Sequence, residues 1–214
     1  MSVAVQHRAR EVRLAGTMSD GTTHAIPAYN ETSDEALMVR YRDGDAAAFD
    51  VLYARHRLGL HRFIARQCRV AERVDEIFQD VWMSLISSRE RYRVEAQFRT
   101  FLFTIAHNKL MDYFRANSKR ETHLYEVKDD EPLDAPGNRT EEPQVQAASN
   151  EARTAILEAL AALPPPQREA FLLHEEGGLT VEEIAIATGV NAEAAKSRLR
   201  YAVAKLRAQL KDHR

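Results

Sequence analysis

Cysteine occurs once in the 214 residues, at Cys68. That excludes an internal disulfide and any multi-cysteine zinc site, and it leaves a small buried hydrophobe as the expected role of Cys68. The eight histidines do not supply a metal site either. His56 and His61 stand five apart, and His61 with Cys68 makes only two ligands, so neither a metal nor another cofactor is expected. Long hydrophobic runs are also missing. No stretch approaches the roughly 18 to 20 apolar residues that span a bilayer, and Met1 to Pro27 lacks the apolar centre of a secretory signal; no membrane association and a cytoplasmic location are expected. Convincing strand alternation and internal repeats are absent, although FRTFLFTI (98–105) has some look of a strand. Carboxylates such as Glu175-Glu176, Glu182-Glu183 and Asp112 have no paired metal-ligand setting, and Gly177-Gly178 follows a helix, so it is no phosphate loop; an enzyme is not expected.

Net charge is small as well, at −2, which looks wrong for a nucleic-acid binder until it is divided along the chain. Residues 121–142 hold eight carboxylates against Lys128 and Arg139, whereas residues 194–214 hold seven cations against Asp212. A near-neutral total hides an acidic middle and a basic end.

What is present is helical periodicity in two blocks. Residues 1–33 show no sustained period and are expected to form a mobile extension. Asp34 opens a short helix with Leu37 and Tyr41 on one side, stopped by Gly44, and Asp45 caps a longer one carrying Phe49, Leu52, His56, Leu60, Phe63 and Ile64. Val74, Ile77, Phe78, Val81, Leu85 and Ile86 mark a third. Phe98, Phe101, Leu102 and Ile105 mark a fourth, running to about residue 115. Residues 117–149 change character, with acids, Pro132, Pro136, Pro143 and Gly137 and no apolar period, which predicts a flexible acidic linker. In the second block Ile156, Leu157, Leu160 and Leu163 are expected on a helix, and Pro164 to Pro166 open a helix through Phe171 and Leu172. The predicted fold is all-α: helical domains over 34–116 and 150–214, joined by that linker, the second containing a helix-turn-helix.

The helix-turn-helix is read from TVEEIAIATGVNAEAAKSRLR (180–200). Thr180 with Glu183 is a capping box, Gly189 supplies the left-handed residue that ends the first helix, and Asn191 caps the second. Ile184, Ala185 and Thr188 face inward. Ala195, Leu199, Ala202, Leu206 and Leu210 give the second helix a buried side, which leaves Lys196, Ser197, Arg198, Arg200 and Tyr201 outward, where such helices meet base edges and phosphates in the major groove. The same pattern also fits a plain helical hairpin with a solvated cationic face.

Taken in order, these parts resemble RNA polymerase sigma factors of the extracytoplasmic-function type, over roughly residues 34–116 and 151–210. DEIFQDVW (75–82) resembles region 2.2, FRTFLFTIAHNKLMDYFR (98–115) resembles regions 2.3 and 2.4, and LPPPQREAFLLHEEGGLTVEEIAIATGV (163–190) followed by AKSRLR (195–200) resembles region 4. The resemblance implies a transcription initiation factor that binds core RNA polymerase at the β′ clamp helices and β flap. It implies opening of promoter DNA at the minus-10 element by region 2 and reading of the minus-35 element by region 4. An anti-sigma factor is a further implied partner. There are departures from the family pattern. Phe101 stands where region 2.3 usually has tryptophan, Ala194-Ala195 replace a common Thr-Val pair, and Tyr201 stands where an arginine is often found, so no particular minus-35 sequence is carried over.

The residues make physical sense in these roles. Asp75, Glu76, Gln79 and Asp80 gather toward the start of the third helix, an acidic and amide-bearing patch suited to a basic protein partner such as the polymerase, though also to a merely solvated, dipole-complementing helix start. Arg89, Arg91, Arg93 and Arg99 surround a loop interleaved with Tyr92, Phe98, Phe101, Phe103 and Tyr113. Cations of this kind track a single strand while aromatics stack on its bases, although most of these aromatics fit a core role better. With the family's pocket for a flipped minus-10 base in that loop, the implied DNA contacts are Arg91, Arg93, Arg99, Asn108 and Lys109. On the recognition helix Lys196 and Arg200 share a face and are assigned to bases, and Arg198 mainly to phosphate. A linker of 33 residues averages about 30 to 35 Å as a coil, whereas promoter elements some 17 base pairs apart lie roughly 60 Å apart; the linker reaches but does not position. The competing reading is a stand-alone helix-turn-helix regulator, which would need a dimer seam to match two half-sites.

Overall fold

The computed structural model describes residue 29 and residues 31–68, 70–94, 96–117 and 143–211. The expectations for a mobile stretch before residue 29 and for a flexible linker over 118–142 lie outside the described residues. Among the described residues eight α-helices follow one another: α1 Asp34–Arg42, α2 Ala46–Ala65, α3 Ala71–Ser88, α4 Phe98–Asn117, α5 Pro143–Ala161, α6 Pro165–Glu175, α7 Val181–Thr188 and α8 Ala192–Gln209. A 3-10 turn, Arg89–Arg91, leads out of α3. No strand occurs among the described residues. The helix α5 begins at Pro143, inside the segment read as linker.

Local chemistry explains most of the helix starts. Ser33 accepts the N–H of Ala36 at the head of α1, and Asp45 accepts that of Ala47 at the head of α2. These satisfy backbone donors that a helix start otherwise leaves unpaired. The head of α4 is completed from a distance: the Phe98 N–H donates to Glu35 Oε1 at 2.9 Å. In the second half both arms of the capping box are made, with Glu183 N–H on Thr180 Oγ1 at 3.3 Å and Thr180 N–H on Glu183 Oε2 at 2.9 Å. Gly189 ends α7 with φ of 66°, a conformation that costs any residue with a Cβ, and Asn191 Oδ1 accepts the Ala194 N–H at 2.8 Å to start α8.

An aromatic cluster ties α2 to α3. The rings of Phe49 and Tyr53 lie 5.7 and 4.9 Å from that of Trp82, and Phe78 closes the group. Such edge and tilted pairs add about 0.5 to 1.5 kcal/mol each beyond their buried area. Phe63 meets Phe103 edge-on at 5.2 Å, which joins α2 to α4. The helices of the second half complete the same core, through Leu172, Leu173, Leu179 and Ile184, with α4 packed along α7. Cys68 is 3 % exposed, in keeping with its expected role. Ile156, Leu157 and Leu160 lie on α5 as expected, and Leu163 lies two residues past its end. Ile156 and Leu157 are 45 % and 39 % exposed, because α5 turns Ala155, Ala159 and Leu160 inward instead. Small alanines allow the close approach, and Ile156 and Leu157 remain outside.

The start of the described chain is pinned by Asp34. Its carboxylate receives Arg55 Nη1 and His56 Nε2, each at 2.7 Å, while Arg55 also donates to the carbonyls of Tyr29 and Thr32. Burial works to raise the Asp34 pKa, but the hydrogen bonds and charges of His56 and Arg55 outweigh it and bring the value down to about 2. A carboxylate depressed in the folded state contributes stability that is complete above its unfolded pKa, near 4, and is lost as pH falls through about 2. Asp34→Asn is therefore expected to cost about 2 kcal/mol at pH 7, and the deficit should shrink between pH 4 and 2. Urea denaturation of both proteins across that range checks this.

Candidate nucleic-acid and polymerase interfaces

The candidate residues fall on three surfaces. On α3, Val74, Ile77, Val81 and Leu85 are buried, and this turns Asp75, Glu76 and Asp80 to solvent with Gln79 half-buried beside them. Asp75 stands 3.6 Å from His61 Nε2, and Glu76 pairs with Arg73 on its own helix; both acids remain more than half exposed. Pairs of this kind are worth at most about 1 kcal/mol, so the ridge is free to exchange them for a partner.

The second surface is built from the 3-10 turn and α4. Arg91 and Lys109 line one shallow, open depression together with Asp80, Met83, Ser84 and Ser87. Arg93 is exposed and folds back, with Nη1 donating to the carbonyls of Glu90 and Tyr92 at 3.2 and 3.0 Å. Asn108 is exposed. Arg99 stands apart from these, at the other end of α4, where its guanidinium lies against Gly178 of the second half. Thus five residues expected together are divided, Arg91 and Lys109 meeting while Arg99 faces another element. Asp80, grouped in the sequence with the acidic ridge, also borders the cationic depression. No sequence spacing marks that meeting, because it depends on how α3 packs on α4.

The interleaved aromatics are mainly core. Phe98, Phe103 and Tyr92 are 0, 1 and 3 % exposed, and Phe101 is half-buried against Tyr92 with ring centroids 5.3 Å apart. Burial, with Glu35 and Asp34 nearby, pushes the Tyr92 phenol up to about 12. Tyr113 is half-buried against Phe114 at 5.5 Å. The loop is thus held from beneath by rings, and its cations stand on the outside.

The third surface is α8. Ala195, Ala202 and Leu206 are buried, and α6 and α7 brace this side of the helix. Leu199 and Leu210 are half-buried. Lys196 and Arg200 are exposed, whereas Ser197 and Arg198 are half-buried. Tyr201 is 52 % exposed, and the Arg200 guanidinium lies 5.0 Å from the centre of its ring. A stacked guanidinium keeps its hydrogen-bond fork pre-oriented, a geometry suited to bidentate contact with a base edge. Among the described residues no carboxylate pairs with Lys196 or Arg200.

Among the described residues no helix is long and apolar enough to cross a membrane. The Sigma-70 region 2 model matches residues 52–120, and the Sigma-70, region 4 model matches residues 153–206. The chain is similar to the RNA polymerase sigma factor CarQ of Myxococcus xanthus, 33 % identical over 171 residues that make up 79 % of this chain and 93 % of CarQ. It is also similar to the ECF RNA polymerase sigma factor SigM of Mycobacterium tuberculosis, 30 % identical over 83 % of this chain and 84 % of SigM. The fold resembles that of CnrH solved in complex with the cytosolic domain of CnrY, with a TM-score of 0.59 and 24 % identity over 84 % of this chain and 97 % of that one. It resembles equally the sigma factor RpoE solved with the anti-sigma factor NepR from Bartonella quintana, with a TM-score of 0.60 and 20 % identity over 78 % of this chain and 98 % of that one. With both regions matched in order and relatives covering most of its length, the chain belongs to the RNA polymerase sigma factors of the extracytoplasmic-function type.

Proposed function

We propose that this sigma factor, whose work is promoter recognition for transcription initiation, divides that work among the three surfaces. Residues 34–116 act as region 2 and residues 150–214 as region 4, with 117–149 as the tether between them. The acidic ridge Asp75, Glu76, Gln79 and Asp80 docks on the β′ clamp helices of core polymerase. Arg91, Arg93, Arg99, Asn108 and Lys109 hold the opened minus-10 strand, and Lys196, Ser197, Arg198, Arg200 and Tyr201 meet the minus-35 duplex. The β flap is the second polymerase contact, through region 4. The protein works by binding alone, in the cytoplasm where polymerase and promoter DNA meet. The RpoE structure was solved with an anti-sigma factor, which supports a partner of that class here.

The observation that carries this reading is the sorting of charge: one exposed acidic ridge on α3, cations lining the depression between α3 and α4, and exposed cations on the recognition helix. Acids suit a basic protein surface, and cations suit phosphates and base edges. The test is reconstitution with core polymerase and transcription from a cognate promoter, repeated after exchanging the minus-35 sequence. Lys196→Ala and Arg200→Ala are expected to lose about 1 to 3 kcal/mol of discrimination between minus-35 sequences. Arg198→Ala should weaken binding to every sequence alike and lower the salt slope by about one. DNA binding that needs no polymerase, with no transcription, would instead make the protein a stand-alone regulator.

A further inference from the structure

The loop that carries Arg93 between α3 and α4 is held at both ends by α1. At its exit, the residue before α4 is Gln97, which belongs to none of the favoured capping types. The first donor of α4, the Phe98 N–H, is met instead by Glu35 Oε1 at 2.9 Å. The ring of the same residue lies 5.2 Å from that of His56, and His56 Nε2 is in turn 2.7 Å from Asp34. Two adjacent carboxylates at the head of α1 thus fix Phe98, one through its backbone and the other through its ring. Phe98 is fully buried, and close packing leaves that ring one place to sit.

At the entrance of the loop the Arg89 guanidinium lies over the ring of Tyr41, 5.6 Å from its centre. Arg89 is half-buried, and the buried Tyr41 is pressed from its own side by the Phe49 ring at 4.9 Å. A contact between a cation and a ring gains strength when water is kept away. Helix α1 packs on the 3-10 turn as well as on α4, and the buried Tyr92 fills the floor between them with Glu35 and Asp34 nearby.

Glu35 and Tyr41 stand on one helix, separated by about 9 Å along its axis at roughly 1.5 Å per residue. The helix therefore sets the span of the loop as a strut does, and the strut is tied to α2 through Asp34 and Arg55. Selective recognition needs its contacting groups held to within about 0.5 Å, which a loop achieves only when its ends are fixed. We propose that α1 braces the strand-reading loop, with Glu35 and Tyr41 as positioning residues for discrimination among minus-10 bases. This role rests on the assignment of the loop to the minus-10 strand; the brace itself is a property of the free chain.

Amide hydrogen exchange on the full chain reads the brace first. Glu35→Ala leaves the Phe98 N–H without its acceptor and should speed its exchange by about tenfold or more, whereas Glu35→Gln keeps a carbonyl oxygen at the same reach and should stay near wild type. Tyr41→Leu keeps an apolar filling but removes the ring under Arg89, which should speed exchange of the Tyr92 N–H that closes the 3-10 turn; Tyr41→Phe should not. Unchanged exchange in both Glu35→Ala and Tyr41→Leu would overturn the brace. If Glu35→Ala loses its helical circular dichroism, Glu35→Asp, one methylene shorter, takes its place. Each holoenzyme is then titrated with promoter DNA whose minus-10 region is already unpaired, carrying the cognate base or a substitution at one position at a time. Preference for the cognate base should fall by about tenfold in Glu35→Ala and Tyr41→Leu and return in Glu35→Gln and Tyr41→Phe, with core affinity unchanged throughout. A merely structural role would weaken cognate and substituted DNA alike, and that outcome overturns the positioning role. Arg93→Ala is the control for the loop. If it lowers the preference while Glu35→Ala and Tyr41→Leu do not, positioning is overturned; if it too leaves the preference intact, the assignment of the loop fails and the exchange result stands by itself.

Discussion

Asp75→Lys, Glu76→Lys and Asp80→Lys combined are expected to reduce affinity for core RNA polymerase by more than about a hundredfold, since like charges forced together across an interface cost several kcal/mol. The fold should survive. These side chains lie off the buried stripe of Val74, Ile77, Val81 and Leu85, and among the described residues the pairs sacrificed are the exposed ones with His61 and Arg73. Helical circular dichroism and the unfolding midpoint separate a lost interface from a lost fold. Core binding measured by fluorescence anisotropy at two salt concentrations gives the effect. Undiminished affinity with helicity retained would place the polymerase contact elsewhere. Asp80 needs its own single variant, because it borders the depression that holds Arg91 and Lys109. Asp80→Asn should then alter promoter opening as well as core binding.

The second large effect is expected from Arg91→Ala, Arg93→Ala and Asn108→Ala together. Holoenzyme should form with wild-type affinity, and open complexes on duplex promoter DNA should fall by about a hundredfold or more, the sum of three contacts worth about 1 kcal/mol or somewhat more each. Permanganate reactivity of unpaired thymines in the minus-10 region reads the open strand directly. Supplying the same promoter with that region already unpaired separates opening from binding: a variant that only fails to melt DNA recovers, whereas one that fails to hold the strand does not. Arg93 braces the turn through the carbonyls of Glu90 and Tyr92, so its truncation also loosens the loop. Asn108 sits on an exposed helix face where alanine is well tolerated, and its single variant therefore isolates the DNA contact. Wild-type opening in the triple variant would assign the strand to another surface.

Features decided within a few residues were legible in the sequence. Asp45, Thr180 with Glu183, Gly189 and Asn191 all act where the pattern places them, because a cap or a left-handed turn depends on neighbours no more than four positions away. The burial of Ala195, Ala202 and Leu206 follows from helical period for the same reason. Features decided by packing were not legible. Glu35 caps α4 across 63 positions, Asp80 and Lys109 border one depression through the packing of α3 on α4, and Ile156 and Leu157 are left outside a helix that turns its alanines inward. The unsuspected contact between the halves had one local trace, Gly59 inside a helical pattern, where a Cβ would lie 2.7 Å from the Glu176 carbonyl oxygen. Periodicity cannot distinguish such a glycine from an indifferent one.

The cap that Glu35 provides to α4 has a consequence for synthesis of the chain. Donor and acceptor both lie in the first half, as do the caps Ser33 and Asp45, so the starts of α1, α2 and α4 have their side-chain caps once residue 117 has left the ribosome. Thr100 and Phe103, each 1 % exposed in the folded protein, must wait for Glu183 and Gly177. At about 5 to 20 residues per second, the 66 positions from 117 to 183 take roughly 3 to 13 s to emerge. For that interval the nascent protein carries a nearly finished bundle with one uncovered flank, and a chaperone that favours short-lived apolar openings would find it there.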